Sequence, residues 1–161
     1  MLWQPTLKGQ LIHLRPMRPD DFEALYAAAS DPLIWEQHPE STRWQRDVFR
    51  RYFDGGLESH GALLVLDAKN GAVIGSSRYA EHDLKASTVE VGWTFLTRAY
   101  WGGPTNAELK RLMLGYAFEH VSAVLFRVGE RNLRSQKAVL KLGAVEDRRE
   151  GESIVFRLTR P

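Results

Sequence analysis

Cysteine is absent from the 161-residue chain, which rules out disulfides, thiolate nucleophiles and cysteine-ligated metals and is compatible with an intracellular site. No uninterrupted apolar run approaches the roughly 20 residues of a membrane span, and the start Met1-Leu2-Trp3-Gln4-Pro5 lacks the apolar core of a signal peptide. A cytoplasmic protein with no membrane partner is the expectation. A dominant charge is missing as well. The 22 basic and 20 acidic side chains leave a formal charge of +2 despite a sequence pI near 9.0, and without local clustering that is no nucleic-acid footprint. Neither Gly-Lys-Ser/Thr nor the full Gly-x-Gly-x-x-Gly pattern occurs, which disfavours a nucleotide-hydrolysing P-loop and a dinucleotide fold. The five histidines are scattered without metal-ligand spacing, so no metal is expected. They read as ordinary surface or core residues, with His38 and His82 the exceptions because both lie near expected cleft loops.

With 43% hydrophobic and 26% charged residues, the whole chain, 1–161, suits one domain with a substantial core. Its organising stretch begins at Thr88. Val89, Val91, Trp93 and Phe95 alternate with Glu90, Gly92 and Thr94, as a strand with two unlike faces requires. Trp101-Gly102-Gly103-Pro104-Thr105-Asn106 then forms a turn, after which Leu109, Leu112, Met113, Tyr116 and Ala117 recur at helical spacing. A helix start carries unpartnered N–H groups and partial positive charge. Gly102 and Gly103 would let a phosphate approach the backbone there, and Thr105 or Asn106 is a candidate cap. The plainer reading of the same turn is a simple connection.

Elsewhere, residues 10–16 read as a strand, and Pro19-Asp20-Asp21 opens a helix that Asp31-Pro32 stops. Residues 33–40 look irregular, with exposed aromatic content. Ser41 or Thr42 is expected to cap a second helix with Trp44, Val48, Phe49, Tyr52 and Phe53 on one side, ending near Gly55-Gly56. Residues 62–67 and 72–79 read as strands joined by the hairpin turn Lys69-Asn70-Gly71. Residues 123–128 read as a strand, 132–142 as a helix with Gly143 at its C-cap, and 152–158 as a strand paired across Arg148-Arg149-Glu150-Gly151 with a short one near Val145. This order does not alternate strictly, so a mixed, mainly antiparallel α/β sheet flanked by helices is expected rather than a doubly wound parallel sheet.

The element order and several local motifs resemble the GNAT superfamily of N-acetyltransferases, and more narrowly the branch containing ribosomal-protein N-terminal acetyltransferases. The resemblance rests on residues 9–16, Asp20-Asp21, Ser30-Asp31-Pro32, Glu90-Val91-Gly92-Trp93, Tyr100-Trp101-Gly102, and Asn132-Leu133-Arg134-Ser135 through Lys141-Leu142-Gly143. It covers nearly the whole chain. It implies a fold of about six to seven strands and about four helices, acetyl-CoA as cosubstrate, and two central strands that splay around the pantetheine arm. That arm would run beside Trp93, Thr94, Phe95 and Leu96. The pyrophosphate would meet the turn from Trp101 through Gly102, Gly103, Pro104 and Thr105 to Asn106. Asn132 would face the pantetheine and Ser135 the thioester, with Arg134 and Lys137 near the adenosine phosphates. Three positions depart from the family pattern: Ala99 and Pro104 replace an Arg or Gln and a Gly or Ala around the pyrophosphate turn, and Val139 stands where many relatives carry an acid tyrosine.

Acetyl transfer needs a neutral amine, a polarised carbonyl and a proton for the leaving thiolate. The resemblance makes Glu90 the candidate base and Ser135 the candidate proton donor, while a backbone N–H of the splayed strand would stabilise negative charge on the carbonyl oxygen. Freeing an α-amine at neutral pH costs about 1.4 kcal/mol against about 4.6 for a lysine, which mildly favours an α-amine. Trp35, Glu36 and His38 are candidate acceptor-binding residues, in the segment that walls the cleft of such proteins together with residues 146–153. The acceptor stays open between protein N-termini and small amines such as aminoglycosides or polyamines. Relatives are often homodimers. A non-catalytic acyl-CoA sensor or partner-binding module on the same fold is the alternative, and Val139 is its best argument.

Overall fold

The computed structural model describes residues 2–161. Among them lie eight strands and four α-helices: β1 (Leu7–Lys8), β2 (Ile12–Pro16), α1 (Phe22–Ala29), α2 (Arg46–Ser59), β3 (Ala62–Asp67), β4 (Val73–Asp83), β5 (Thr88–Leu96), α3 (Thr105–Ala117), β6 (Ala123–Gly129), α4 (Leu133–Lys141), β7 (Val145–Glu150) and β8 (Ser153–Thr159). The strands form one sheet in the order β1-β2-β3-β4-β5-β6-β8-β7. Every pairing is antiparallel except β5 with β6. This is the expected mixed, mainly antiparallel sheet flanked by helices, with one strand beyond the expected six to seven. The two-residue β1 is too short for alternation to reveal it.

Two apolar layers cover the sheet. On one face, α3 supplies Leu109, Met113 and Ala117, and α4 supplies Val139, against Leu63, Val65, Val89, Val91 and Val124. On the other, α1 and α2 supply Phe22, Leu25, Phe49, Tyr52 and Phe53 against Leu64 and Phe95. Phe49 and Phe53 are fully buried, each contributing about 2–3 kcal/mol by leaving water. Asp21 ties the entry to α1. Burial would raise its pKa, but the fork of Arg15 at 2.8 and 2.9 Å and the N–H of Arg18 at 2.7 Å outweigh that and hold the carboxyl below its usual range.

Helix α2 departs from expectation at both ends. It begins at Arg46 after an uncapped Gln45, because residues 40–45 form turns, and neither Ser41 nor Thr42 caps it. It runs through Gly55 and Gly56 to His60, whose φ of 54° closes it. Gly56 is no terminator. A Cβ there would sit 2.5 Å from Met17 Cε and 3.2 Å from Ala62 Cβ, so the residue lets the helix approach the sheet. The Asn70-Gly71 turn joins β3 to β4 as expected, with Gly71 at φ 74°.

Strand β5 does not keep one face. Its register against β4 passes from Arg78↔Gly92 to Ser76↔Phe95, so Trp93 and Thr94 oppose Ser77 alone, a bulge. Trp93 takes φ 51°. The extra residue inverts the alternation: Val89 and Val91 face α3, whereas Trp93 and Phe95 pack on the α1 and α2 side.

Candidate active site

Strand β5 pairs with β6 through Thr88↔Ala123, Val89↔Val124 and Glu90↔Leu125, and no further. Both strands continue, to Leu96 and Gly129, so they part and leave main-chain edges without ladder partners. Such an edge invites an extended, hydrogen-bonding occupant. The bulge stands at this opening, and a non-glycine residue at φ 51° is the kind of strain found at functional sites.

Around the opening the candidate residues divide into main-chain and side-chain contributors. Trp93 offers its carbonyl to the Tyr52 hydroxyl at 2.5 Å, and that hydroxyl lies 2.6 Å from Ser76 Oγ. Thr94 Oγ1 lies 2.7 Å from Ser77 Oγ and accepts from Lys110 Nζ at 3.1 Å. Phe95 and Leu96 are 5% exposed, and their side chains belong to the two core layers. Only their backbone faces the opening.

The turn from 101 to 106 has open space over Gly102 and Gly103, and Gly102 takes φ 74°. Neither Thr105 nor Asn106 caps α3. The cap position is Pro104, which makes no side-chain cap bond, while buried Thr105 is already the first helical residue. Glu108 N is the first to bond back, to the Pro104 carbonyl. The N–H groups of the first turn therefore point out of the helix uncapped, and these residues fit a pyrophosphate.

Asn132 is 5% exposed and caps α4, its Oδ1 accepting the N–H of half-buried Ser135 at 3.3 Å. Arg134 stacks its guanidinium 3.5 Å from the Trp101 ring centroid. Its N–H donates to Gln37 Oε1 at 3.4 Å, and Pro39 packs on Gly129, where a Cβ would lie 2.5 Å from Pro39 Cγ. The 35–40 segment thus crosses from the α1 side to the end of β6. Lys137 is exposed on α4.

Within that segment Trp35 and His38 turn inward while Glu36, Gln37, Pro39 and Glu40 stay exposed. Trp35 is 2% exposed and donates to the Ala29 carbonyl at 2.9 Å, with Phe95 5.1 Å away between ring centroids. It is a core residue and no exposed wall, because the turn at Pro32–Ile34 folds the indole inward. Glu36 points to solvent. His38 packs edge-on against Trp35, and its Nδ1 accepts from Glu40 N at 3.1 Å. Burial, with Arg43 and Arg134 nearby, lowers its pKa to about 4 and keeps it neutral.

Glu90 lies where the two strands part, 4% exposed, with Arg127 Nε 3.5 Å away. Burial raises its pKa. Arg127 opposes the rise, and Glu81 and Glu150 add to it. Arg127 is shared with Glu150 at 2.9 Å. The carboxylate edges a cavity of about 540 Å³ that also takes in His82, Thr88, Arg127 and Arg148. A buried carboxylate with a raised pKa and an open approach is suited to proton abstraction. A smaller cavity, about 190 Å³, opens between α2 and the sheet beside Arg43, Arg51, Tyr52, Arg78 and Trp93.

Arg43, Tyr52, Arg78 and Lys110 carried no sequence signal of their own. Tyr52 reads as one more aromatic in a helical stripe, Arg78 and Lys110 as ordinary polar positions, and Arg43 falls outside the helix. Their importance comes from burial. Among the described residues no group of three His, Cys, Asp or Glu side chains could hold a metal, and no helix is long and apolar enough to cross a membrane.

A family model described as "Acetyltransferase (GNAT) domain" matches residues 12–145. Among solved structures, a GCN5-related N-acetyltransferase from Brucella melitensis superposes with a TM-score of 0.83 at 18% identity, over 97% of this chain and 79% of the other. The acetyltransferase of Agrobacterium tumefaciens gives 0.75 at 23% identity over 97% and 95%. A Vibrio cholerae protein provisionally described as a ribosomal-protein-serine acetyltransferase gives 0.76 at 16% identity over 99% and 100%. No curated protein sequence matches.

Proposed function

The chain belongs to the family of acetyltransferase (GNAT) domains, and from that premise we propose that it is an acetyl-CoA-dependent N-acetyltransferase acting on a primary amine. Family membership carries acetyl transfer in general. The observation supporting this particular reading is the parting of β5 from β6 after Glu90 and Leu125, with the bulge at its mouth. An extended pantetheine would run along the free edge of β5 from Trp93 to Leu96, and the uncapped turn from Trp101 to Asn106 would take the pyrophosphate. Arg134 and Lys137 lie on the adjoining helix, in reach of the adenosine phosphates.

When bound, acetyl-CoA supplies an activated acetyl thioester. The amine nitrogen bonds to its carbonyl carbon as the carbon–sulfur bond breaks; the amine's surplus proton leaves through Glu90, and sulfur takes one. Glu90 suits the first task because burial weakens its acidity. Ser135 is the proposed donor for the second, held at the head of α4 by the Asn132 cap. Val139 is 5% exposed within the core, so no phenol takes that part there. An α-amine, needing only about 1.4 kcal/mol to lose its proton near neutrality, fits a carboxylate base better than a lysine does.

Thermal unfolding with acetyl-CoA, against ATP as a phosphate control, tests the cosubstrate. Ligand at about 100 times its dissociation constant adds about 2.7 kcal/mol, or roughly 5–10 °C. Amine-dependent release of free CoA tests the enzyme. No shift and no release across peptides and small amines would sink the proposal.

A further inference from the structure

Two arginines beside the smaller cavity, Arg78 buried and Arg43 half-buried, hold buried nitrogens without anions. Arg78 is 8% exposed. Its Nη2 donates to the Tyr52 carbonyl at 2.9 Å, while its Nε has no partner. Arg43 leaves both Nε and Nη1 buried and unpartnered. The Tyr52 ring lies between them, 4.8 Å from the Arg43 guanidinium carbon and 5.5 Å from that of Arg78, and Arg78 also covers the Trp93 ring at 4.5 Å. No carboxylate lies within ion-pair distance of either among the described residues.

Such an arrangement is costly in the free protein. Buried cations are ordinarily paired, and an unpaired buried donor forfeits its full hydration. Burial lowers the pKa of both guanidinium groups, and Arg43 lowers that of Arg78 further, while the Tyr52 side chain opposes the fall in each. Arg51 adds a third positive charge to the rim. Glu40 is the one acid of the lining, but it is exposed and accepts a hydrogen bond from Thr42 at 3.4 Å instead of pairing inward. A forked donor set over aromatic faces, next to about 190 Å³ of open space, is complementary to an oxyanion.

The cavity also lies on the right face. Arg78 pairs with Gly92 and Ala80 with Glu90, so Arg78 and Glu90 share the α1 and α2 side of the sheet, two residues apart along β5. That is roughly 7 Å. Gly92, opposite Arg78 and next to Glu90 on that face, adds no side chain there; a Cβ would come 3.9 Å from Glu90 Oε2.

We propose that Arg43 and Arg78 form an oxyanion-recognition site for the acceptor, so that the amine acetylated is one that also carries a carboxylate or a phosphate. This rests on the acetyl-transfer reading above and narrows its acceptor away from polyamines and aminoglycosides, whose cations Arg43, Arg51 and Arg78 would repel.

The test begins with binding, which needs no turnover. In the full chain, the arginine Nε–H resonances are followed by NMR while succinate, and separately inorganic phosphate, is added. Those of Arg43 and Arg78 should shift saturably, with Arg148 and Arg160 unmoved. Free-CoA release is then compared for 4-aminobutyrate against butylamine and for phosphoethanolamine against ethanolamine, which separates carboxylate from phosphate. The anionic member of at least one pair should have a kcat/KM about 30-fold or more above its partner, and Arg43→Met should remove that preference. Arg78→Lys provides a second variant that keeps the charge but loses the fork, and acetyl-CoA affinity should be unchanged in both. No saturable shift, or turnover of neutral and anionic amines alike, overturns the site while leaving acetyl transfer intact. Saturable shifts without CoA release from any amine would retain the oxyanion site and remove the acetyl-transfer reading.

Discussion

Both faces of the sheet bury a cation at the bulge, and they do so differently. On the α3 face, Lys110 is 7% exposed, and its one hydrogen bond goes to Thr94, which continues to Ser77. It lines neither of the two cavities. On the α1 and α2 face, Arg78 and Arg43 are held over Tyr52, Trp93 and Trp35, next to open space and two residues from a buried carboxylate. A buried cation with one neutral hydrogen-bond partner mostly costs stability. One placed at a cavity under aromatic rings retains its charge for something that enters. The same strand, read through one extra residue, thus offers a structural face and a chemical one.

Lys110 gives the largest expected effect. Burial lowers its pKa from 10.5 to about 8, so between those values the native state binds fewer protons there than the unfolded chain and stability rises with pH. Below about pH 8 the penalty is present in full, about 3 kcal/mol at 1.36 kcal/mol per unit. Lys110→Met should therefore be more stable than the parent near neutrality, with the difference vanishing between pH 8 and 10.5 in urea melts. A constant difference across that range would show that the two faces do not differ as described.

Next is Glu90 on the chemical face. Glu90→Gln should lower kcat/KM about 100-fold, close to 2.7 kcal/mol of barrier, with little change in acetyl-CoA affinity. Because the carboxyl pKa is raised, activity of the parent should climb with pH above the usual carboxylate range, and the variant should lose that limb. An unchanged profile would assign the limb to the amine alone.

The smallest effect concerns a second register shift in β4, between Ala80 and Asp83, on the rim of the cavity that Glu90 edges. Glu81 takes φ 52° and is exposed. Glu81→Gly should raise stability by about 1 kcal/mol, the cost of a left-handed non-glycine residue. Trp93 has the same backbone angle, yet Trp93→Gly should yield no such gain, because Arg78 would lose its aromatic cover. Equal gains at both positions would erase the distinction between a strained turn and a strained site.

The elements themselves were legible. The strand at β5, though not its single alternation, the Asn70-Gly71 hairpin, Asp31-Pro32 at the end of α1 and the glycine turn before α3 all act locally, and each appears where its chemistry demands. Gly55 and Gly56 misled, since a glycine that ends a helix and one that admits a neighbour look alike until Met17 and Ala62 are in place. Trp35 misled for a similar reason: its loop is irregular, but the indole is captured by Ala29 and Phe95. Glu90 stood out only with the surrounding motif, and Arg43 and Arg78 did not stand out, because nothing in their spacing reports burial.

Local rules acting along the chain therefore determined the order of helices and strands, the mixed sheet and the glycine turn before α3, since periodicity, turn residues and helix ends need only near neighbours. Tertiary structure alone decided the bulge that turns Trp93 and Phe95 to the other face, the depth at which Arg78, Lys110 and Glu90 lie, and the point at which β5 leaves β6. Those depend on which residues meet from distant segments and on how much water they exclude, and burial, more than residue type, sets the charge chemistry of this site.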